Sequence, residues 1–354
     1  MQSSDETQRA AGFATYRLPG ETICHTICRE PETLTDIADT AGRTGFVMSP
    51  FVVDDGAPIL FFEGEPQSYP TPCAKQTATG VKRSGVTAES DRKAYAKAFS
   101  ALHGMVRQGQ LRKVVLSRSA TIRTDLQADA QEMFAMACEA YPTAFVALIA
   151  TPNNGTWLIA TPELLLESHC GRLHTMALAG TMRTDGTDSP KWSDKNRQEQ
   201  RIVAQYIAKA LAPIATGIET SEAETTAAAG LVHLRTTFSF SLQNGIILSD
   251  AIGALHPTPA VCGMPKGDAM QALMDHEHYR REYYSGYSGP IYANGDANLY
   301  VTLRCAKIAT DGCTLFAGGG LMPESREADE WDETEAKMDA MRNIIETLTD
   351  KSNV

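Results

Sequence analysis

A chain of 354 residues has room for one large interwoven domain or two smaller ones, and its 43% hydrophobic and 21% charged content is that of an ordinary globular protein. A formal net charge of -11, with no basic cluster to offset it, argues against a nucleic-acid partner. No apolar run reaches membrane-spanning length and the opening MQSSDETQRA is polar rather than signal-like, so the expectation is a cytoplasmic protein with no membrane partner. Eight cysteines are scattered without a disulfide rhythm; Cys24, His25 and Cys28 form the only close group, no second pair stands at zinc-site spacing, and buried free thiols are expected. The phosphate-binding P-loop, the dinucleotide GxGxxG and the GxSxG elbow are all missing, which disfavours a nucleotide enzyme or an α/β-hydrolase.

Residues 1 to about 65 mix strand-like runs (GFVMSPF, PILFFEG) with polar turns. From Glu65 to Arg92 the chain is rich in Pro, Thr, Ser and Gly and reads as a long loop or linker. Glu89 to Gly104 reads as a helix with Tyr95, Phe99 and Leu102 on one side. LRKVVLSRSATI, residues 111 to 122, is a strand whose alternation sets Lys113, Val115 and Ser117 on one face and Val114, Leu116 and Arg118 on the other. Lys113 is either a strand-end lysine reaching into water or an amine in a confined pocket, where burial disfavours its charge and lets it act as a general base. TDLQADAQEMFAMACEAYP reads as a helix, and FVALIAT, GTWLIATPELLLES and GRLHTMALAGTMR as successive strands of an antiparallel meander. Glu163, between Pro162 and the Leu164–Leu166 run, is either a satisfied structural acid or a carboxyl with a raised pKa that can donate a proton.

The helix SDKNRQEQRIVAQYIAKALA carries Glu199 at the head of an apolar stripe formed by Ile202, Val203, Tyr206 and Ala210. LVHLRTTFSFSL sets His233 in an apolar strand, where a lone histidine is more often a hydrogen-bonded core residue than a catalyst. The turn-rich GALHPTPAVCGMPK opens the helix GDAMQALMDHEH, and YRREYYSGYSGPIYA bends into a strand. NLYVTLRCAKI puts Arg304 in mid-strand, where a guanidinium calls for a carboxylate or phosphate. From Arg304 to Lys337 the pattern is strand, turn at Asp311-Gly312, second strand, the triple glycine Gly318, Gly319 and Gly320, then an acidic helix. On that helix Glu330, Glu333 and Lys337 share a face that continues through Met341, Ile345 and Leu348, while the glycines let a ligand approach the backbone. If the two carboxylate-headed helices meet, their acids cannot all stay ionised without a cation, and oxygen-only ligands select a hard ion such as Mg²⁺.

From Glu89 to the C-terminus the chain resembles the chorismate-utilising family, which holds isochorismate, salicylate, anthranilate and aminodeoxychorismate synthases. The resemblance rests on KVVLSR, TPELLLE, ALAGTMR, NRQEQRIV, VHL, LHPTPAVCGMPK, the Glu277-to-Gly289 stretch, TLRCAKI, FAGGG and EWDETEAK, all in family order. It implies an α+β fold of the anthranilate synthase component I-like, chorismate-binding kind: a large, mostly antiparallel β-sandwich flanked by helices. Residues 1–80 would be woven into the same fold and 81–354 would form the catalytic region.

The resemblance also implies site roles. Mg²⁺ would be held by Glu199 and Glu333, with Glu330 behind them, and would grip the ring carboxylate of chorismate. Arg304, Lys337 and backbone groups near Gly318 and Gly319 would fix the substrate's carboxylates. Ala179, Gly180 and Thr181 would line the ring, with His233 nearby. Ala179 stands where similar aminodeoxychorismate synthases carry a lysine, which argues against a covalent route. Lys113 stands where the amine-adding synthases carry Gln, which fits activation of water. Water would then attack C2 while Glu163 protonates the departing C4 hydroxyl, giving isochorismate for menaquinone or siderophore biosynthesis. A salicylate synthase is the alternative; anthranilate synthase component I and a non-catalytic chorismate-binding protein are further ones, and a monomer is the family expectation. The chain departs from the family at Met264, usually threonine, and in the less acidic and less histidine-rich Gln198, Gln200 and Arg201.

Overall fold

The computed structural model describes residues 12–74, 88–89, 91–123, 130–183, 191–228 and 231–351. Its strands form two ten-stranded sheets in which every pairing given is antiparallel. Across the first sheet the order is Gly263–Met264, Lys113–Arg123, Gly312–Leu321, Cys305–Ala309, Gly155–Thr161, Phe145–Thr151, Phe13–Arg17, Ile23–Cys28 and Gln67–Pro70, with Ala88–Glu89 also on Lys113–Arg123. Across the second it is Ala215–Thr220, Leu231–Leu242, Arg172–Arg183, Leu164–His169, Ala297–Val301, Tyr287–Ile291, Gly45–Ser49, Ile59–Glu63 and Glu32–Leu34, with Glu224–Ala228 also on Leu231–Leu242.

Period-two alternation gives each sheet an inner face, and the two inner faces pack on each other. Tyr16, Phe145 and Trp157 of the first sheet meet Phe46, Phe62 and Tyr300 of the second, and the Phe145 and Tyr300 rings stack at 4.4 Å. Helices cover the outer faces. Ala130–Ala140 and Glu327–Lys351 lie on the first sheet, and Asp194–Leu211 and Leu248–Leu255 on the second. Arg92–Arg107 and Lys266–His276 pack against the Lys113–Arg123 strand. The result is an α+β sandwich flanked by helices.

Five local readings need correction. The stretch expected as loop or linker contains the strand Gln67–Pro70, whose partner Ile23–Cys28 is remote in sequence, so no local pattern marks it; residues 75–87 and 90 lie outside the described residues. GTWLIATPELLLES is not one strand. It ends at Thr161, and Pro162-Glu163 carries the chain from the first sheet to Leu164–His169 in the second, because proline cannot donate to a ladder. Arg304 is not in mid-strand either. It ends the return crossing from Ala297–Val301 to Cys305–Ala309 and has a left-handed φ of +46°. The triple glycine lies within the strand Gly312–Leu321 rather than after it. The thiols are mixed: Cys28, Cys73 and Cys170 are exposed, the other five buried.

Candidate active site

The two crossings meet. Val301 donates its N–H to the Glu163 carbonyl at 2.9 Å, and Arg304 accepts from Ala160 N–H at 3.1 Å. Glu163 and Arg304 therefore sit side by side where the chain leaves one sheet for the other, and both are buried. They border a cleft of about 660 Å³, whose wall also includes Leu178, Ala179, Gly180, Thr181, Glu199, His233, Tyr284, Phe316, Gly318, Gly320 and Lys337. A larger cleft of about 1300 Å³, near Ile37, Ile247 and Asn294, has no acid, amine, guanidinium or imidazole in its lining, so reactive chemistry belongs to the first.

The crossing explains the state of Glu163. Burial pushes its carboxyl up to about 7, against the opposing pull of Lys113, Lys337 and Arg304. Arg304 is shaped by the same burial, which lowers it to about 10. It donates to the Lys337 carbonyl at 3.3 Å and lies 3.4 Å from His233 Nε2. On the other side of that ring, Nδ1 lies 3.1 Å from the Gly180 carbonyl and 3.3 Å from Thr181 Oγ1. Burial, with Arg304 and Lys337 nearby, lowers His233 to about 3. The ring is therefore neutral, and the carbonyl assigns the proton to Nδ1, leaving Nε2 to accept from Arg304.

Gly180 owes its place to a bulge. The pairing of Arg172–Arg183 with Leu231–Leu242 shifts between Ala179 and Thr181, and Gly180 takes φ +74°. A Cβ there would also meet Asn196 atoms at 3.2 and 3.3 Å, so glycine serves both the backbone and the packing.

In the strand Gly312–Leu321, alternation turns Gly318 and Gly320 to one face and Gly319 to the other. A Cβ on Gly320 would fall 2.2 Å from Glu199 Oε1 and 2.8 Å from Lys113 Cε; one on Gly319 would fall 2.9 Å from Glu330 Oε2. Missing side chains thus let two carboxylates and an amine crowd onto the backbone. Lys113 is fully buried directly behind this wall. Its ammonium lies 3.0 Å from Glu199 Oε1, close enough for an ion pair but not aligned as a hydrogen bond.

Each of the three carboxylates on the two helices faces a lysine. Glu199 faces Lys113, Glu333 lies 2.7 Å from Lys337, and Glu330 pairs with Lys195. Lys337 also donates to the Gly318 carbonyl at 2.7 Å. Burial pushes Glu199 up, but Lys113, Lys195 and Lys337 together outweigh it and hold it below its ordinary value. Glu330 is raised, by burial and then by Glu333. Its Oε2 is buried without a hydrogen-bond partner. Carboxylate-only donors, an orphaned buried oxygen and a glycine cradle that a Cβ would fill are a fit for a hard divalent ion.

Of the residues read from sequence, Glu163, Ala179, Gly180, Thr181, Glu199, His233, Arg304, Gly318 and Lys337 line the cleft. Lys113, Gly319, Glu330 and Glu333 lie off its lining, in the layer just described. Sequence reasoning missed Lys195, although it stands four residues before Glu199 and so on the same helix face. It also missed the Tyr284 and Phe316 rings, stacked at 5.5 Å, whose pairing joins segments remote in sequence.

Comparisons with known proteins agree with this architecture. Residues 66–346 match the family model described as chorismate binding enzyme. The isochorismate synthase EntC of Escherichia coli is 31% identical over 248 residues, covering 67% of this chain and 63% of EntC. This chain thus matches less than two thirds of that relative's length. A solved structure assigned as the 2,3-dihydroxybenzoate-specific isochorismate synthase DhbC of Bacillus anthracis superposes with a TM-score of 0.79 at 25% identity, covering 95% of this chain and 96% of that one. The menaquinone-specific isochorismate synthase MenF of Escherichia coli gives the same TM-score at 20% identity, covering 96% and 90%, and so shares the fold. The structural matches take in the N-terminal strands that the family model leaves out. The chain belongs to the chorismate-binding enzyme family.

Proposed function

We propose that the protein is an isochorismate synthase, adding water at C2 of chorismate as the C4 hydroxyl leaves. The observation that carries this reading is a buried carboxyl in the cleft wall, its pKa pushed up to about 7, with the fully buried Lys113 in the layer directly behind that wall. A concerted exchange of hydroxyl groups requires one group to take a proton from water and another to protonate the departing oxygen. In its neutral form Lys113 takes a proton from water as the oxygen bonds to C2. Both ring double bonds shift in relay, C1=C2 to C1=C6 and C5=C6 to C4=C5, the C4–O bond breaks, and Glu163 gives its proton to the departing hydroxyl. Arg304 and Lys337 bind the carboxylates, and His233, fixed by Gly180, orients the Arg304 guanidinium. Leu178, Phe316 and Tyr284 wall the apolar side of the ring. Mg²⁺, held by Glu199 and Glu333 with Glu330 behind, would supply positive charge against a substrate carboxylate. Relatives named for vibriobactin and menaquinone support a role in siderophore or menaquinone biosynthesis.

The test is chromatography of products after incubation with chorismate and Mg²⁺. Isochorismate is expected; no conversion would sink the reading, and accumulation of salicylate would replace it with a salicylate synthase. Lys113→Gln should lower kcat by roughly 10²–10⁴ with chorismate binding largely retained. A near-normal rate would remove Lys113 from the mechanism. In the native enzyme kcat/KM should decline as pH rises through about 7, where Glu163 loses its proton.

A further inference from the structure

We infer that Lys195 is a resident counter-ion which a divalent cation must displace, so that this side chain limits how tightly the site takes metal; the inference rests on the metal reading above. As they stand, the carboxylates are turned toward lysines rather than toward one another. Among the described residues, the one group of three His, Cys, Asp or Glu donor atoms within 4.8 Å of each other is His169, Cys170 and Asp296, remote from this cleft. Glu199, Glu330 and Glu333 do not form such a group, so holding a cation requires them to turn and a lysine to yield.

Which lysine yields follows from burial and tethering. Lys113 is fully enclosed, and Lys337 is held by both Glu333 and the Gly318 carbonyl. Lys195 keeps 24% of its side chain exposed while gripping Glu330, which is 1% exposed. A long stem with one end near water can swing its ammonium out without losing a buried position. Lys195 also stands in the first turn of Asp194–Leu211, where the helix dipole disfavours a cation, so the nearby acids must be what holds it there. Its charge interacts most strongly with Glu330, then with Glu333 and Glu199. A divalent ion entering beside Lys195 meets like charge.

A lysine that merely braces the two helices would behave differently, since its loss would loosen the site and weaken metal binding. The full-length protein is titrated with Mn²⁺ while the free-ion paramagnetic resonance signal is followed, and Mg²⁺ is then used as competitor. Lys195→Met should bind Mn²⁺ roughly tenfold tighter or more, on the scale of close charge pairs. Lys195→Arg, which keeps the charge, should bind no tighter than the native protein. Mg²⁺ should also raise the melting temperature of the Met variant by more than that of the native protein. Equal or weaker binding by the Met variant overturns the inference, and Lys195→Gln, with the same expectation, replaces it if the Met variant does not fold. Native protein that binds Mn²⁺ with no tightening in either variant sinks the role of Lys195 alone. Binding by none of the proteins sinks the metal reading with it.

Discussion

At the scale of single residues, the crossing between sheets sets two titrations against each other. Glu163 is raised by burial from 4.5 to about 7, so between those values the folded protein keeps a proton that the unfolded chain releases. Stability then falls as pH rises through that window, by on the order of 3 kcal/mol in full. His233 is lowered by burial from 6.5 to about 3, so the unfolded chain takes up a proton that the folded protein refuses. Its contribution has the opposite sign, with stability rising as pH climbs from about 3 to 6.5. The two slopes offset each other between about 4.5 and 6.5. Glu163→Gln removes one of them. Relative to the native protein it should gain stability progressively above about pH 4.5 and level off above about 7. Urea unfolding at pH 5 and pH 8 checks this, and a difference that does not change with pH would mean that Glu163 is ionised in the fold.

At the scale of elements, the site depends on places where regular structure is interrupted. Gly180 forms the bulge that aims a carbonyl at His233, which in turn accepts from Arg304. Gly180→Ala forces a left-handed residue to carry a Cβ against Asn196, the third residue of the Asp194–Leu211 helix. A cost of about 1–3 kcal/mol in stability is expected from the backbone alone. The same change should shift Glu199 and Arg304, so KM for chorismate should rise along with the loss of stability. Denaturation curves and steady-state kinetics on one preparation test both arms. A destabilised variant with unchanged KM would make the bulge purely structural.

Across the whole molecule, one buried ion pair joins segments that the sequence keeps apart. Arg281 and Glu277 pair at 2.6 Å with almost no exposure. Glu277 accepts from Ser117 N–H at 2.8 Å and from its hydroxyl at 2.7 Å, beyond the point where the short strand Gly263–Met264 stops pairing with Lys113–Arg123. Arg281 donates to the carbonyls of Val115 and Val261, each at 2.7 Å, and lies 4.4 Å from the centre of the Phe51 ring. The pair thus continues the edge of the first sheet and fixes the strand that carries Lys113. Arg281→Ala leaves Glu277 buried and unpaired, and should cost about 3–5 kcal/mol. Adding Glu277→Gln should recover part of that loss, because the stranded charge is gone. A double-mutant cycle in urea measures the coupling, and strict additivity would show that the two residues act separately.

Much of this protein is legible in its sequence because much of it is local. The alternation of LRKVVLSRSATI set Lys113, Val115 and Ser117 on one face, as observed, and the helical period put Glu199 ahead of Ile202 and Val203 on a buried stripe. Glu330, Glu333 and Lys337 share a face with Met341 and Ile345 for the same reason, and family motifs in order were enough to identify the sandwich. Tertiary structure alone decided which of those faces meet. Pro162-Glu163 had to cross between sheets before Glu163 could lie beside Arg304, and Arg304 had to leave its strand and take a left-handed turn to reach His233. The pairing of Glu199 with Lys113 and of Glu330 with Lys195, and the exposure of Lys195 against the enclosure of Lys113, likewise depend on partners far along the chain. Periodicity fixes which way a side chain points from its own element, but the pKa and partners of that side chain are set by whatever other elements burial brings against it.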